Sequence, residues 1–120
     1  MRALIVDDSK SMRMILGRTL REAGFEVTEA GDGQQALDRL SRGEEVDLML
    51  VDWNMPVMNG YDLVRAVRAN ALLGNLRILM VTTETSMAQV QMALAAGANE
   101  YLMKPFTKES LIEKLALLGI

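Results

Sequence analysis

The stretch Leu48-Met49-Leu50-Val51-Asp52-Trp53-Asn54-Met55-Pro56-Val57-Met58-Asn59-Gly60 changes character three times within thirteen residues. Residues 48–51 are wholly apolar, too short for a helix and closed by an acid, which is the pattern of a strand buried on both faces. A proline-containing loop comes next. After Asn59-Gly60 the period becomes helical, with Leu63, Val64 and Val67 directed inward. Strand, loop and helix in this order form one βα unit, and the same rhythm runs outward in both directions. Apolar runs recur at 3–6, 25–28, 78–81 and 101–103. A helix over residues 9–23 is expected to bury Met12, Ile15, Leu16, Leu20 and Ala23 and to turn Arg13, Arg18, Arg21 and Glu22 to solvent, with Gly24 stopping it. A second helix opens at Asp32 with Gln35 at capping-box spacing and closes near Gly43. A fourth, over 86–96, ends at Gly97, and a fifth starts at Thr107 and directs Leu111, Leu115 and Leu118 inward. Five such units predict an α/β domain over residues 1–120, with a five-stranded parallel sheet and helices on both faces.

Composition narrows the chemistry. The chain has 120 residues, no cysteine and no histidine, which removes disulfides, thiolate or imidazole metal ligands, Ser-His-Asp catalysis and any phosphohistidine of its own. Its net charge of −3 argues against a broad nucleic-acid footprint. Residues 1–6 meet two acids too soon for a secretory signal, and no apolar run approaches a bilayer span, so a cytoplasmic protein without membrane insertion is expected. The ten methionines are read mainly as gap filling in the core.

Each strand but the second runs directly into polar residues: Asp7-Asp8, Asp52, Thr82-Thr83 and Lys104-Pro105. All strand carboxyl ends of a parallel sheet share one edge, so these residues are expected to converge there. Three carboxylates and one ammonium leave a formal −2, which a divalent cation completes. An oxygen-only ligand set selects a hard ion, and Mg²⁺ suits few carboxylates with retained waters. Asp52 or one of the other acids then attacks a phosphoryl group whose oxygens Mg²⁺ and Lys104 neutralise.

Taken together, Val6-Asp7-Asp8-Ser9, Val51-Asp52-Trp53-Asn54-Met55-Pro56 with Gly60, Val81-Thr82-Thr83 and Lys104-Pro105-Phe106 resemble the receiver domain of bacterial response regulators over the whole chain, and its chemotaxis-type (CheY-like) members in particular. The resemblance implies a (βα)5 flavodoxin-like fold with strand order 2-1-3-4-5. It implies that Asp52 is the phosphoacceptor, that Asp8 binds Mg²⁺ directly with Asp7 as its partner, and that Asp52 and the backbone carbonyl of Asn54 complete the ligands. Lys104 would bind a phosphoryl oxygen, the bond before Pro105 would be cis, and Thr82 and Tyr101 would form a switch pair. Thr83 departs from the family, which commonly has a very small residue there, and is expected to narrow phosphoryl access. Asn54 and Glu84, two residues beyond Asp52 and Thr82, are expected to tune the lifetime of the phosphoryl group.

The resulting expectation is a two-component switch, not an enzyme acting on many substrates. A sensor histidine kinase or phosphotransfer protein would supply the phosphoryl group. Residues 85–99 carry no charge. The surface of helix four, strand five and helix five is therefore the expected output face, with Ser86, Gln89, Ala93 and Ala96 exposed on it and Lys108 and Lys114 alongside. A flagellar motor switch protein is the implied target, and a homodimer through the same face is the other partner considered. A Mg²⁺-dependent aspartyl-phosphate phosphohydrolase is the alternative from another class. Proteins similar to the haloacid dehalogenases place a second Asp two positions after the nucleophile, whereas Asn54 follows Asp52 here and Lys10 follows Asp8, and an amide cannot protonate a leaving group. The start at Met1 reads as natural, and the end at Ile120 fits either a free-standing regulator or the receiver half of a longer one.

Overall fold

The computed structural model describes residues 1–83 and 86–120. Strands β1 (Arg2–Val6), β2 (Glu26–Ala30), β3 (Leu48–Val51), β4 (Arg77–Thr82) and β5 (Glu100–Met103) alternate with helices α1 (Lys10–Glu22), α2 (Gly33–Ser41), α3 (Gly60–Arg68), α4 (Met87–Ala96) and α5 (Lys108–Leu117). All strand pairs are parallel, in the order β2-β1-β3-β4-β5. The order reverses between β1 and β3, where a crevice opens at the strand carboxyl ends.

Side-chain alternation sorts the strands into two cores. Leu4, Val6, Met49, Val51, Ile78 and Met80 face one side with residues of α2, α3 and α4. Ala3, Ile5, Leu48, Leu50, Leu79 and Val81 face the other with residues of α1 and α5. Both faces of the central strands are covered, which is why they read as unbroken apolar runs.

Register carries this order into the crevice. Val6 pairs with Val51, and the Asp52 N–H donates to the Val6 carbonyl at 3.0 Å, so Asp7 and Asp52 leave the sheet side by side. Thr82 pairs with Met103, and the Lys104 N–H donates to the Thr82 carbonyl at 2.9 Å.

The β3–α3 loop is fixed by its own backbone. The Gly60 N–H donates to the Trp53 carbonyl at 2.9 Å, and any Cβ at Gly60 would collide with the Asp52 carbonyl oxygen. The Met58 N–H donates to the Pro56 carbonyl at 2.7 Å across Val57, whose φ of 68° makes a γ-turn that β-branched residues rarely adopt. The Met58 carbonyl also accepts from Gly33 N–H at 3.2 Å, tying the loop to α2. Farther along, Arg68 at the end of α3 donates from Nε to Gly97 O (2.9 Å), from Nη1 to Leu73 O (3.1 Å), and from Nη2 to Leu76 O (2.7 Å) and Asn99 Oδ1 (2.9 Å).

Several local expectations need correction. Ile15 is 53% exposed, because it lies about a third of a turn from the Leu16–Leu20 ridge that meets the sheet. Ala23 is exposed because it caps α1 beyond the sheet edge. Phe25 is buried but precedes β2, and its N–H donates to Leu20 O at 3.0 Å to close the α1 end. A 3-10 turn at Ala71–Leu73 has no counterpart among the expected elements. On α4, Ala93 is 1% exposed and Gln89 and Ala96 are half-buried, so only Ser86 of the expected surface set is fully outside. Met87, Ala88, Gln91, Met92, Leu94 and Ala95 form the exposed face instead. No charged residue marks either side of this helix, so its periodicity had no means of choosing between them.

Candidate functional site: an acidic cleft at the strand carboxyl ends

The first acid after β1, the acid after β3, the last residue of β4 and the lysine after β5 meet at the crevice. Asp7, Asp52 and Thr82 are buried, and Asp8 is exposed at the rim. One carboxylate oxygen from each of Asp7, Asp8 and Asp52 lies within 4.8 Å of the others. Lys104 Nζ donates to Asp7 Oδ2 at 2.9 Å and stands 3.7 Å from Asp52 Oδ2. The Lys104–Pro105 peptide is cis. Lys104 therefore neutralises Asp7 first and Asp52 second, with Asp8 left uncompensated by it.

Each carboxylate is held from a different direction. Asp7 Oδ1 accepts from the Ser9 N–H at 2.9 Å, and Ser9 also caps α1 by accepting from Met12 N–H at 3.2 Å. Burial pushes the Asp52 carboxyl above the ordinary carboxylate range; Lys104 opposes this, Asp7 reinforces it, and hydrogen bonds from Thr82 and the Trp53 backbone N–H oppose it. A buried acid that resists ionisation beside a second buried acid is a pair in want of positive charge. The donor set consists of carboxylate oxygens alone, and it fits a hard divalent cation.

Arg13, expected on the solvent side of α1, turns to the cleft instead. Its Nη1 donates to the Asp7 carbonyl at 2.6 Å and its Nε to Glu29 Oε1 at 2.9 Å. A helical period locates a Cβ, whereas a long guanidinium stem can still fold back, and no signal in the sequence marks this. Asn54 and Thr83 are exposed, and Glu84 lies outside the described residues. Trp53, directly after Asp52, is buried and stacks on Tyr61 at 5.3 Å with 16° between planes, and the Arg65 guanidinium lies 5.6 Å from the Tyr61 centroid.

Beyond Thr82 an apolar groove of about 690 Å³ runs between α4, β5 and α5, with Met87, Leu94, Tyr101, Met103 and Phe106 on its walls. Tyr101 is buried, and it pairs in register with Met80. Lys114 lines the groove and is bonded to Glu100 at 3.1 Å. Lys108, expected beside α4, reaches Glu22 of α1 at 2.6 Å instead. No helix is long and apolar enough to cross a membrane among the described residues.

A parallel five-stranded sheet that gathers Asp7, Asp8, Asp52, Thr82 and Lys104 at its switch point defines a class, and comparison with known proteins agrees. The chain belongs to the response regulator receiver domain family, whose model matches residues 3–116. A chemotaxis protein CheY homolog of Campylobacter jejuni is 48% identical over 116 residues, covering 96% of this chain and 89% of that protein. The chemotaxis protein CheY of Pseudomonas aeruginosa is 49% identical, with 96% and 93% covered. Among solved structures, the chemotaxis response regulator CheY4 of Vibrio cholerae superposes with a TM-score of 0.89 at 42% identity, covering 98% of this chain and 97% of that one.

Proposed function

We propose that residues 1–120 form one receiver domain that works as a phosphorylation-controlled switch in chemotaxis, with Asp52 as the phosphoacceptor. The observation that carries this reading is the meeting of three carboxylates and Lys104 within one cleft. A phosphohistidine on a sensor histidine kinase or phosphotransfer protein is the donor, since the chain has no histidine of its own. An Asp52 oxygen attacks the phosphorus, the bond to the donor nitrogen breaks, and its electron pair leaves with the imidazole. Asp7, Asp8, Asp52 and the Asn54 carbonyl would hold Mg²⁺, which when bound supplies positive charge for the phosphoryl oxygens.

Lys104 turns from Asp7 to a phosphoryl oxygen, and the Thr82 hydroxyl, already bonded to Asp52, follows the new charge. Tyr101 lines the groove one strand away from Thr82, so a shift at Thr82 is read out as a change of the α4–β5–α5 surface. Asn54 and Glu84 set how long the phosphoryl group survives, and Thr83 limits access to it. The names of the relatives support chemotaxis as the pathway, and the target proposed for the α4–β5–α5 surface is a flagellar motor switch protein. A homodimer through the same surface is the alternative partner.

The test uses acetyl phosphate, whose good leaving group allows transfer without a kinase. The protein is expected to take up acid-labile, Mg²⁺-dependent phosphate, and Asp52→Asn is expected to take up none while remaining folded. Label that persists in Asp52→Asn makes Asp7 or Asp8 the nucleophile.

A further inference from the structure

Sulfur is distributed unevenly over this molecule. The ten methionines are its only sulfur, and the gap-filling role expected of them holds for Met49 and Met80, which are wholly buried. Five are exposed, and of these Met87 at 69% and Met103 at 49% stand on opposite walls of the groove between α4 and β5. Met1, Met14 and Met92 are exposed elsewhere.

We infer that Met87 and Met103 form a reversible oxidation site that sets whether the groove is apolar. This rests on the reading of that face as the output surface. A peroxide is the co-reactant. A thioether lone pair attacks the terminal peroxide oxygen, an S–O bond forms as the O–O bond breaks, and the departing oxygen leaves with a proton as water or alcohol. Sulfur loses two electrons and the peroxide gains them, and a thiol-dependent sulfoxide reductase reverses the change. Each sulfoxide places a strong acceptor on an apolar wall, where Leu94, Tyr101 and Phe106 supply the neighbouring surface. Lys114, the cation among the described residues lining the groove, is already engaged by Glu100 at 3.1 Å. An apolar side chain entering the oxidised groove would therefore strip water from the sulfoxide oxygens with poor replacement, and binding weakens. Trp53, the one tryptophan, is buried and does not compete for the oxidant.

The experiment uses full-length protein, hydrogen peroxide and, as the groove probe, the anionic dye 1-anilinonaphthalene-8-sulfonate, whose aromatic rings bind apolar surface. Leu94→Glu is expected to weaken dye binding several-fold, which locates the dye. After peroxide, peptide mass mapping is expected to show one added oxygen on Met87 and on Met103 before any on Met49 or Met80. Dye binding is expected to fall several-fold and to return on treatment with the reductase. The Met87→Leu/Met103→Leu protein is expected to keep its dye after peroxide, while Met14→Leu/Met92→Leu loses it as the unaltered protein does. Dye binding that ignores Leu94→Glu, that survives oxidation of both residues, or that is lost equally from the Met87→Leu/Met103→Leu protein overturns the inference. Labelling by acetyl phosphate is followed in the same samples before peroxide. Its absence counts against the receiver reading alone, since the dye reports the groove without phosphorylation.

Discussion

The passages from β3 into α3 and from β4 into α4 leave the same cleft and are built on opposite terms. In the first, the Asn59 side chain accepts from Asp62 N–H at 2.8 Å to cap α3, Gly60 closes on Trp53, and the loop is tied to α2 through Met58. Its helix then buries Gly60, Leu63, Val64 and Val67 and keeps Arg65 outside. In the second, Ser86 stands at the cap position without a side-chain cap bond, and α4 has one fully buried residue, Ala93. The strand end that presents Asp52 is thus clamped, while the helix after Thr82 opens without a side-chain cap bond and has a single fully buried residue. A switch needs one element fixed, so that chemistry has a defined geometry, and another whose alternative positions differ little in free energy.

Substitutions can break this contrast, beginning with the most severe. An aspartate in place of Ala93 would bury an unpaired charge and is expected to cost about 4 kcal/mol in urea unfolding, whereas Ala95→Asp on the exposed face costs about 0.5 kcal/mol or less. Equal losses would mean that α4 does not sit as described. Gly60→Ala forces a methyl group against the Asp52 carbonyl and should cost about 3 kcal/mol, read as a lower unfolding midpoint. Between the caps, Asn59→Ala is expected to cost about 1 kcal/mol and Ser86→Ala no more than about 0.3 kcal/mol, since only the first removes a bond. Two equal costs would abolish the distinction between the passages.

The smallest effect has the opposite sign. Because burial holds the Asp52 carboxyl above the ordinary range, the folded chain takes its proton at higher pH than the unfolded chain does. The cost of the buried charge is therefore present above the folded pKa and shrinks as pH falls through it. Asp52→Asn should stabilise metal-free protein slightly at neutral pH, by less than about 0.3 kcal/mol and read as a slightly higher Tm, and this gain should vanish below the ordinary carboxylate range. A pH-independent difference in Tm would assign the effect to packing.

The same contrast explains what the sequence disclosed. Asp7, Asp52, Thr82 and Lys104 were legible as a site because each closes or directly succeeds an apolar strand, and parallel strands deliver their carboxyl ends to one edge. The inward face of α3 was legible because Asp62 and Arg65 mark the other side. The face of α4 was not, because alanine, methionine, glutamine and valine surround it and burial is decided by the sheet it meets. Arg13 was missed for a related reason: pattern follows the backbone, and its guanidinium acts several bonds away, on the Asp7 carbonyl.

Arg68 gives α4 a direction. Its four hydrogen bonds all end on neutral oxygens, so no carboxylate in the clamp can be protonated to release it, and acid that titrates the cleft leaves it engaged. One of those oxygens is the carbonyl of Gly97 at the carboxyl end of α4, where the guanidinium also meets the negative pole of the helix. The helix resembles a lever with its fulcrum at Gly97 and its free arm at Met87. A tilt pivoting there would be smallest beside Arg68 and would grow toward Met87, which lines the groove.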